Sequence, residues 1–292
     1  MCIISVKYLK NRGWVGIKNR DRTYEPVVHI KKSFRKGNER LLLWDDGTKW
    51  TEGVNEFGIA VLSSAAGGPK DMKKDEKIPS DLEQKHSKDG RKIRKALHEK
   101  TLDKVVKVLL DEGIVGNTAV FSESECVLIE AVKVQLDKPE YKSETRSFGK
   151  NEILVRTNHG LLIPTMGYQV GMARRSSELR RDIVLKNLEK ASSPKSMLDS
   201  MSITNKEEPQ YGPLRNDKRK ALEDGSIPLR TTGQLLIIPK ERSLHYKPIM
   251  SKVEFDLNKL NSEDHKTRFE VISKNNLIEL RNIPTFLEYI YS

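Results

Sequence analysis

The sequence predicts an α+β protein built on antiparallel sheet. Three observations carry that expectation. Strand-like segments come in blocks before and after the helical ones, which favours layered antiparallel sheets over alternating βαβ units. The chain opens on two β-branched runs joined by a turn signal. No glycine-rich phosphate loop interrupts the pattern, because Gly67-Gly68 lacks the helix and the Lys-Ser/Thr that would follow.

Residues 2–9 (Cys-Ile-Ile-Ser-Val-Lys-Tyr-Leu) alternate in part and suit a strand. Asn11-Arg12-Gly13 is a turn, and 14–19 reads as the returning strand, so the chain begins with a hairpin. Further short strands are expected at 41–44, before the turn Asp45-Asp46-Gly47, and at 58–62. Residues 69–95 have little to bury, and the sequence predicts a charged, exposed insertion there that covers a pocket. Leu102, Val105, Val106, Leu109 and Leu110 recur at helical spacing, and Gly113 closes that helix. Residues 117–121 and 126–132 form an antiparallel pair around Ser-Glu-Ser-Glu, and 153–158 is a strand ending in Asn-His-Gly. A helix follows over 176–188, with Leu179, Ile183, Val184 and Leu188 expected on its buried side. Ser192-Ser193-Pro194 starts another with Met197, Leu198 and Met201. Residues 204–228 read as a polar loop, and late strands are expected at 234–238 and 244–246.

Composition narrows the class. The 292 residues carry 53 Lys and Arg against 41 Asp and Glu, a formal charge of +12. Mean hydropathy is −0.60. A chain of this length can build a core, with a heavily charged surface around it. No apolar run reaches the roughly 20 residues that cross a bilayer, so no membrane association and a cytoplasmic location are expected. Two cysteines make no disulfide framework, and the six histidines show no zinc spacing, so no metal or other cofactor is expected. The positive balance leaves nucleic acid open as a secondary partner, although basic and acidic residues are mixed and aromatics are only 6%.

Cys2 is the most informative residue. Trimming of Met1 would leave a cysteine whose own α-amine, with a pKa of about 8, stands beside its thiol. One residue then supplies both nucleophile and base. The hairpin brings Lys18-Asn19-Arg20-Asp21 back beside it. A cation there stabilises a thiolate, and Asp21 can accept from an ammonium.

With this arrangement, the chain resembles the N-terminal nucleophile (Ntn) hydrolases of the choloylglycine hydrolase and penicillin V acylase type, and their relatives the acyl-CoA:6-aminopenicillanate acyltransferases. The resemblance continues through Gly53-Val54-Asn55-Glu56-Phe57-Gly58-Ile59, through Cys126-Val127-Leu128-Ile129-Glu130, through Arg156-Thr157-Asn158-His159 and through Leu229-Arg230-Thr231-Thr232-Gly233-Gln234. It implies a single domain over 2–292 with the four-layer αββα sandwich of that family. It implies a cysteine amidase or acylase acting on a small linear amide through an acyl-thioester on Cys2. An acyltransferase of the same mechanism, or a weakened scaffold that binds an acidic partner, are the alternatives.

Residue by residue, Cys2 matches the nucleophile, Asp21 the aspartate that holds its amine and thiol, and Asn158 the asparagine that hydrogen-bonds the substrate carbonyl region or the α-amine. The family's arginine before the aspartate is Lys18 here, with Arg20 a candidate replacement. The family's oxyanion asparagine is absent; Ser63, Ser64 or Ala65 occupies its place, so the oxyanion is expected to rely on a backbone N–H there, helped by the hydroxyl of Ser63 or Ser64. Arg180 or Arg181 matches a later arginine. Asn19 and His159 are expected to support the site. A homo-oligomer stays open.

Overall fold

The computed structural model describes residues 2–35, 38–66, 89–133, 141–222, 227–255, 271–274 and 277–281. Within them the chain forms two large sheets. Strands β1 (Cys2–Leu9) and β2 (Gly13–Arg22) make the opening hairpin, and β10 (Ile153–Arg156), β11 (Arg230–Ile238) and β12 (Ser243–Pro248) flank it. β14 (Val271–Lys274) and β15 (Leu277–Arg281) complete this first sheet, whose order is β10-β1-β2-β11-β12-β15-β14. The second sheet runs through β3 (Val27–Arg35), β4 (Asn38–Asp45), β5 (Thr51–Asn55), β6 (Ala60–Ser64), β7 (Gly116–Phe121), β8 (Cys126–Lys133) and β9 (Tyr141–Ser147). Its edge beside β3 is β13 (Lys252–Phe255), and the order is β13-β3-β4-β5-β6-β7-β8-β9. Among the described residues, the pairings are antiparallel except that of β13 on β3.

Alternation along the strands sorts side chains into layers, because successive residues of a strand point to opposite faces. In the opening hairpin Ile4, Val6 and Trp14 join Leu41, Leu43, Leu62, Phe121 and Leu128 of the second sheet in one core between the sheets. Their neighbours Ile3, Val15 and Ile17 turn the other way. They meet Val184, Leu188, Met197 and Met201 of helices α3 (Gly171–Leu188) and α4 (Pro194–Met201). On the far side of the second sheet, Leu42, Val61, Val120 and Ile129 pack on helix α1 (residues 89–96) and on α2 (Leu102–Asp111). The layers are therefore helix, sheet, sheet, helix: the αββα sandwich the resemblance implies.

The hairpin turn needs Gly13, whose φ is +71° and whose missing side chain would strike the Glu123 backbone. Gly16 lets the two sheets approach, because a Cβ there would meet Phe121 and Leu62. Lys7, on the helix-facing side of β1, donates to the carbonyls of Leu188, Glu189 and Ala191 (2.7 Å to Ala191). That ammonium gathers three carbonyls at and just past the end of α3, where the helix leaves acceptors without a helical N–H.

Several expectations change. The second hairpin strand extends to Arg22 rather than ending at Asn19. The expected insertion is described only from 89, and there it is helical, with Ile93 and Ala96 buried; residues 67–88 lie outside the described residues. Helix α3 does not bury Leu179, which is exposed; its inward face is Ser176, Ser177, Arg180, Val184 and Leu188. Of the expected polar loop at 204–228, residues 204–222 and 227–228 are described; they are irregular apart from one 3-10 turn at Pro209–Tyr211, yet Tyr211, Arg215 and Asp217 are buried.

Candidate active site

Register places the site. Cys2 stands opposite Arg20 across the β1–β2 ladder. Directly opposed residues share a face, so Cys2 looks into the space between the sheets with Lys18, Arg20 and Arg22. Asn19 and Asp21 alternate to the helix-facing side. One strand end therefore carries two different polar clusters, one on each face.

Between the sheets, the three cations of β2 meet two carboxylates of the second sheet. Lys18 and Arg20 both pair with Glu52 of β5. Arg20 also pairs with Asp45, at the end of β4, and Arg22 donates to the same carboxylate oxygen at 2.7 Å. Asp45 further accepts from Tyr24 at 3.0 Å and from the Thr48 N–H at 2.8 Å. Arg22 donates from Nη1 to the Cys2 Sγ at 3.5 Å and to the Asp21 carbonyl at 2.9 Å. Burial pushes the Cys2 thiol up, but Lys18, Arg22 and the chain's α-amino charge outweigh it against an opposing Asp21, and the thiol is lowered to about 7. The two arginines around Asp45 hold its carboxyl well below the usual range, despite its burial.

On the helix side, Arg180 donates to Asp21 Oδ2 at 2.7 Å and to Asn158 Oδ1 at 3.1 Å. Thr231 donates to Asp21 Oδ1 at 2.8 Å. Arg215 lies 3.7 Å from the same carboxylate and is tied to Ser176 at 3.0 Å. Burial and the neighbouring Arg180 lower Arg215 to about 10, with Asp21 opposing. Asn158 is held at three points. Its N–H donates to Ser177 Oγ, its Oδ1 accepts from Arg180, and its Nδ2 donates to the Ala65 carbonyl at 2.6 Å. Because Arg180 takes the oxygen, the amide hydrogens must face the Ala65 side.

The expected residues fall into groups. Cys2 and Lys18 share the inter-sheet cluster; Asp21, Asn158 and Arg180 share the helix-side one. Arg20 is committed to Glu52 and Asp45, and Arg22 holds the place beside the sulfur that Arg20 is expected to fill. The structure separates Arg180 from Arg181. Arg181 pairs with Asp182 on the half-buried flank of α3, and Arg180 is the arginine that meets Asp21. The serine hydroxyls expected to help a backbone N–H at the oxyanion have other partners. Ser63 Oγ accepts from Trp50, and Ser64 Oγ donates to the Thr157 carbonyl at 2.9 Å. Asn19 Nδ2 donates to the Met201 and Pro213 carbonyls, fixing the loop before β11. His159 contacts Ser177 Oγ at 2.8 Å through Nδ1, and burial with nearby Arg174 and Arg181 lowers it to about 4.

Sequence reasoning missed Arg22, Asp45, Glu52 and Arg215. Only the first had a local signal, its parity with Lys18 on an extended β2. The other motif residues are anchors. Asn55 accepts from the Phe57 and Ile59 N–H groups, which shapes the turn before β6. Glu130 pairs with Arg156 and accepts from the N–H groups of Leu161, Leu162 and Ile163, which shapes the loop after Asn158. Among the described residues, no group of three or more His, Cys, Asp or Glu could hold a metal ion, and no helix is long and apolar enough to cross a membrane.

No family model and no curated protein matches the chain. Solved structures do resemble it. Penicillin V acylase from Agrobacterium tumefaciens is 12% identical over 85% of this chain and 83% of that chain, with a TM-score of 0.43. A mutant of conjugated bile acid hydrolase from Clostridium perfringens is 11% identical over 85% of this chain and 89% of that chain, with a TM-score of 0.45. A second variant of the same hydrolase is 11% identical over the same shares, with a TM-score of 0.43. These are distant likenesses of the chain as a whole. The roles of its residues come from its own geometry.

Proposed function

We propose that this protein is an N-terminal cysteine amidase that cleaves a small linear amide through an acyl-thioester on Cys2. The observation that carries the reading is the Cys2 thiol, buried at the start of β1 with Arg22 donating to its sulfur at 3.5 Å, and lowered to about 7 by Lys18, Arg22 and the chain's α-amino charge. A buried thiol without such neighbours is inert.

In this reading Met1 is removed, and the α-amine of Cys2 takes the proton from its thiol. The thiolate attacks the amide carbonyl. The Asn158 amide, turned by Arg180, is the side-chain donor for the oxyanion, in exchange for its bond to the Ala65 carbonyl. The C–N bond then breaks, and the ammonium returns its proton to the leaving nitrogen. Water hydrolyses the thioester and frees the acid. Asp21 counters the positive charge of Arg180 and Arg215 and fixes both.

The test is trapping. The purified protein, checked by intact mass for loss of Met1, is mixed with a set of N-acyl amides carrying a chromogenic amine and quenched in acid. Release of the amine with an acyl mass added to Cys2 supports the reading. Amine release that survives in Cys2→Ala, or retention of Met1 in active protein, overturns it.

A further inference from the structure

We propose that Asp45, at the β4–β5 turn of the opposite sheet, is a positioning residue that sets the reactivity of Cys2 through Arg22. This rests on the reading of Cys2 as the nucleophile. Arg22 has two working edges: Nη1 on the Cys2 sulfur at 3.5 Å and Nη2 on Asp45 at 2.7 Å. It sits at the end of β2 and is about 10% exposed, so its side chain has water as an alternative. Asp45 itself cannot shift easily. It is fully buried and held by Arg20, Tyr24 and both the N–H and hydroxyl of Thr48. The turn thus grips the guanidinium from the second sheet and presents its other edge to the sulfur.

Charge count points the same way. The buried inter-sheet cluster holds the cations Lys18, Arg20 and Arg22 against the carboxylates Glu52 and Asp45. One positive charge is left over, and Arg22 is the cation in contact with Cys2. Counting these side chains, a thiolate offsets the excess, whereas a thiol leaves it buried, and the α-amino charge adds to the positive side in both states. The other groups acting on the sulfur are Lys18 and Asp21 of β2 and the α-amino group, with Arg215 reaching it from the loop before β11. Of these, Lys18 is paired with Glu52, and Asp21 with Arg180 and Arg215.

The experiment reads the thiolate directly and needs no substrate. Iodoacetamide labelling of Cys2, followed by peptide mass, is measured between about pH 5 and about pH 9.5. Arg22→Gln is expected to raise the midpoint by about 1 pH unit, from the loss of a close cation. Asp45→Asn is expected to raise it too, because Arg22 is released to water. The double variant is expected to match Arg22→Gln alone, since the two act as one unit. The proposal is overturned by an unchanged midpoint in Arg22→Gln, or by an unchanged or lowered midpoint in Asp45→Asn, the lowering being what simple removal of a negative charge gives. Additive shifts in the double variant overturn it as well. If Arg22→Gln fails to fold by circular dichroism, Arg22→Lys decides. Lysine keeps the charge but cannot span sulfur and carboxylate, so a raised midpoint supports the clamp and an unchanged one overturns it. Absent amide turnover with these shifts intact defeats the amidase reading and leaves the clamp standing.

Discussion

The two cysteines of this chain are a controlled comparison. Cys2 and Cys126 are both buried, at 4% and 2% exposure, and both face the layer between the sheets. Cys126 pairs with Phe121 across β7–β8 and is surrounded by apolar side chains, and burial alone pushes its thiol far up. Cys2 suffers the same burial, but it lies at the end of the layer where Lys18, Arg20 and Arg22 meet Glu52 and Asp45, and its thiol moves down. One layer therefore has an oily end and an ionic end. Depth does not make a cysteine reactive or inert; the charges buried with it do.

Substitutions can break this contrast. Cys2→Ala should lower amide turnover by at least about 10³-fold, the scale of losing a nucleophile, with an unchanged far-UV spectrum. Cys126→Ala should leave turnover within about twofold and cost about 1 kcal/mol in a urea titration, for a small cavity. Equal losses of activity in the two would erase the distinction. The ionic end can be attacked next. Glu52→Gln strips the shared partner from Lys18 and Arg20, and should destabilise the protein by about 3–5 kcal/mol, read from the same titration. A neutral result would mean that the cluster is better solvated than its burial indicates.

Weaker perturbations sharpen the comparison. Asn158→Ala should reduce kcat by about 10²-fold to 10³-fold with a smaller change in KM, as for removal of an oxyanion donor. A KM effect alone would reassign Asn158 to ground-state binding. The smallest effect is in the pH dependence of Tm, and the two thiols have opposite signs. The folded pKa of Cys2 lies below its ordinary value of about 9, so its contribution is full above about 9 and is lost as pH falls through about 7. That of Cys126 lies above it, so its contribution is full below about 9 and fades as pH rises beyond. Tm profiles of the two Ala variants against the parent should diverge in those opposite windows.

Much of the sandwich is legible in the chain. The opening hairpin, α2, α4, the β7–β8 pair and β11–β12 follow from alternation, helical spacing and turn residues close to where they stand. β3 and β9 are not, because in one the alternation of Val28 and Ile30 is cut short by Lys31-Lys32, and the wholly exposed Tyr-Lys-Ser-Glu-Thr-Arg-Ser of the other shows no apolar alternation. The existence of α3 is legible, but its orientation is not. Its inward face is chosen by polar partners, Ser177 for Asn158 and Arg180 for Asp21, which no hydrophobic count detects. The same blindness hides Asp45 and Glu52. Each lies on a different sheet from its cations, more than twenty residues away in sequence, and reads locally as a turn or a strand start.

The strict alternation of β2 has a consequence for how this chain can evolve. Its odd positions serve the helices and its even positions serve the second sheet, and the two sets are chemically opposite at Lys18-Asn19-Arg20-Asp21-Arg22. A single-residue insertion between Gly13 and Lys18 would turn Asp21 toward the sulfur and send three cations into the helix layer. Gene lineages that keep the site should therefore accept length changes in the turn at 10–12 or in the irregular stretch after Met201, and reject them inside β2. The hairpin behaves as a reading frame of period two, and its content is legible only in phase.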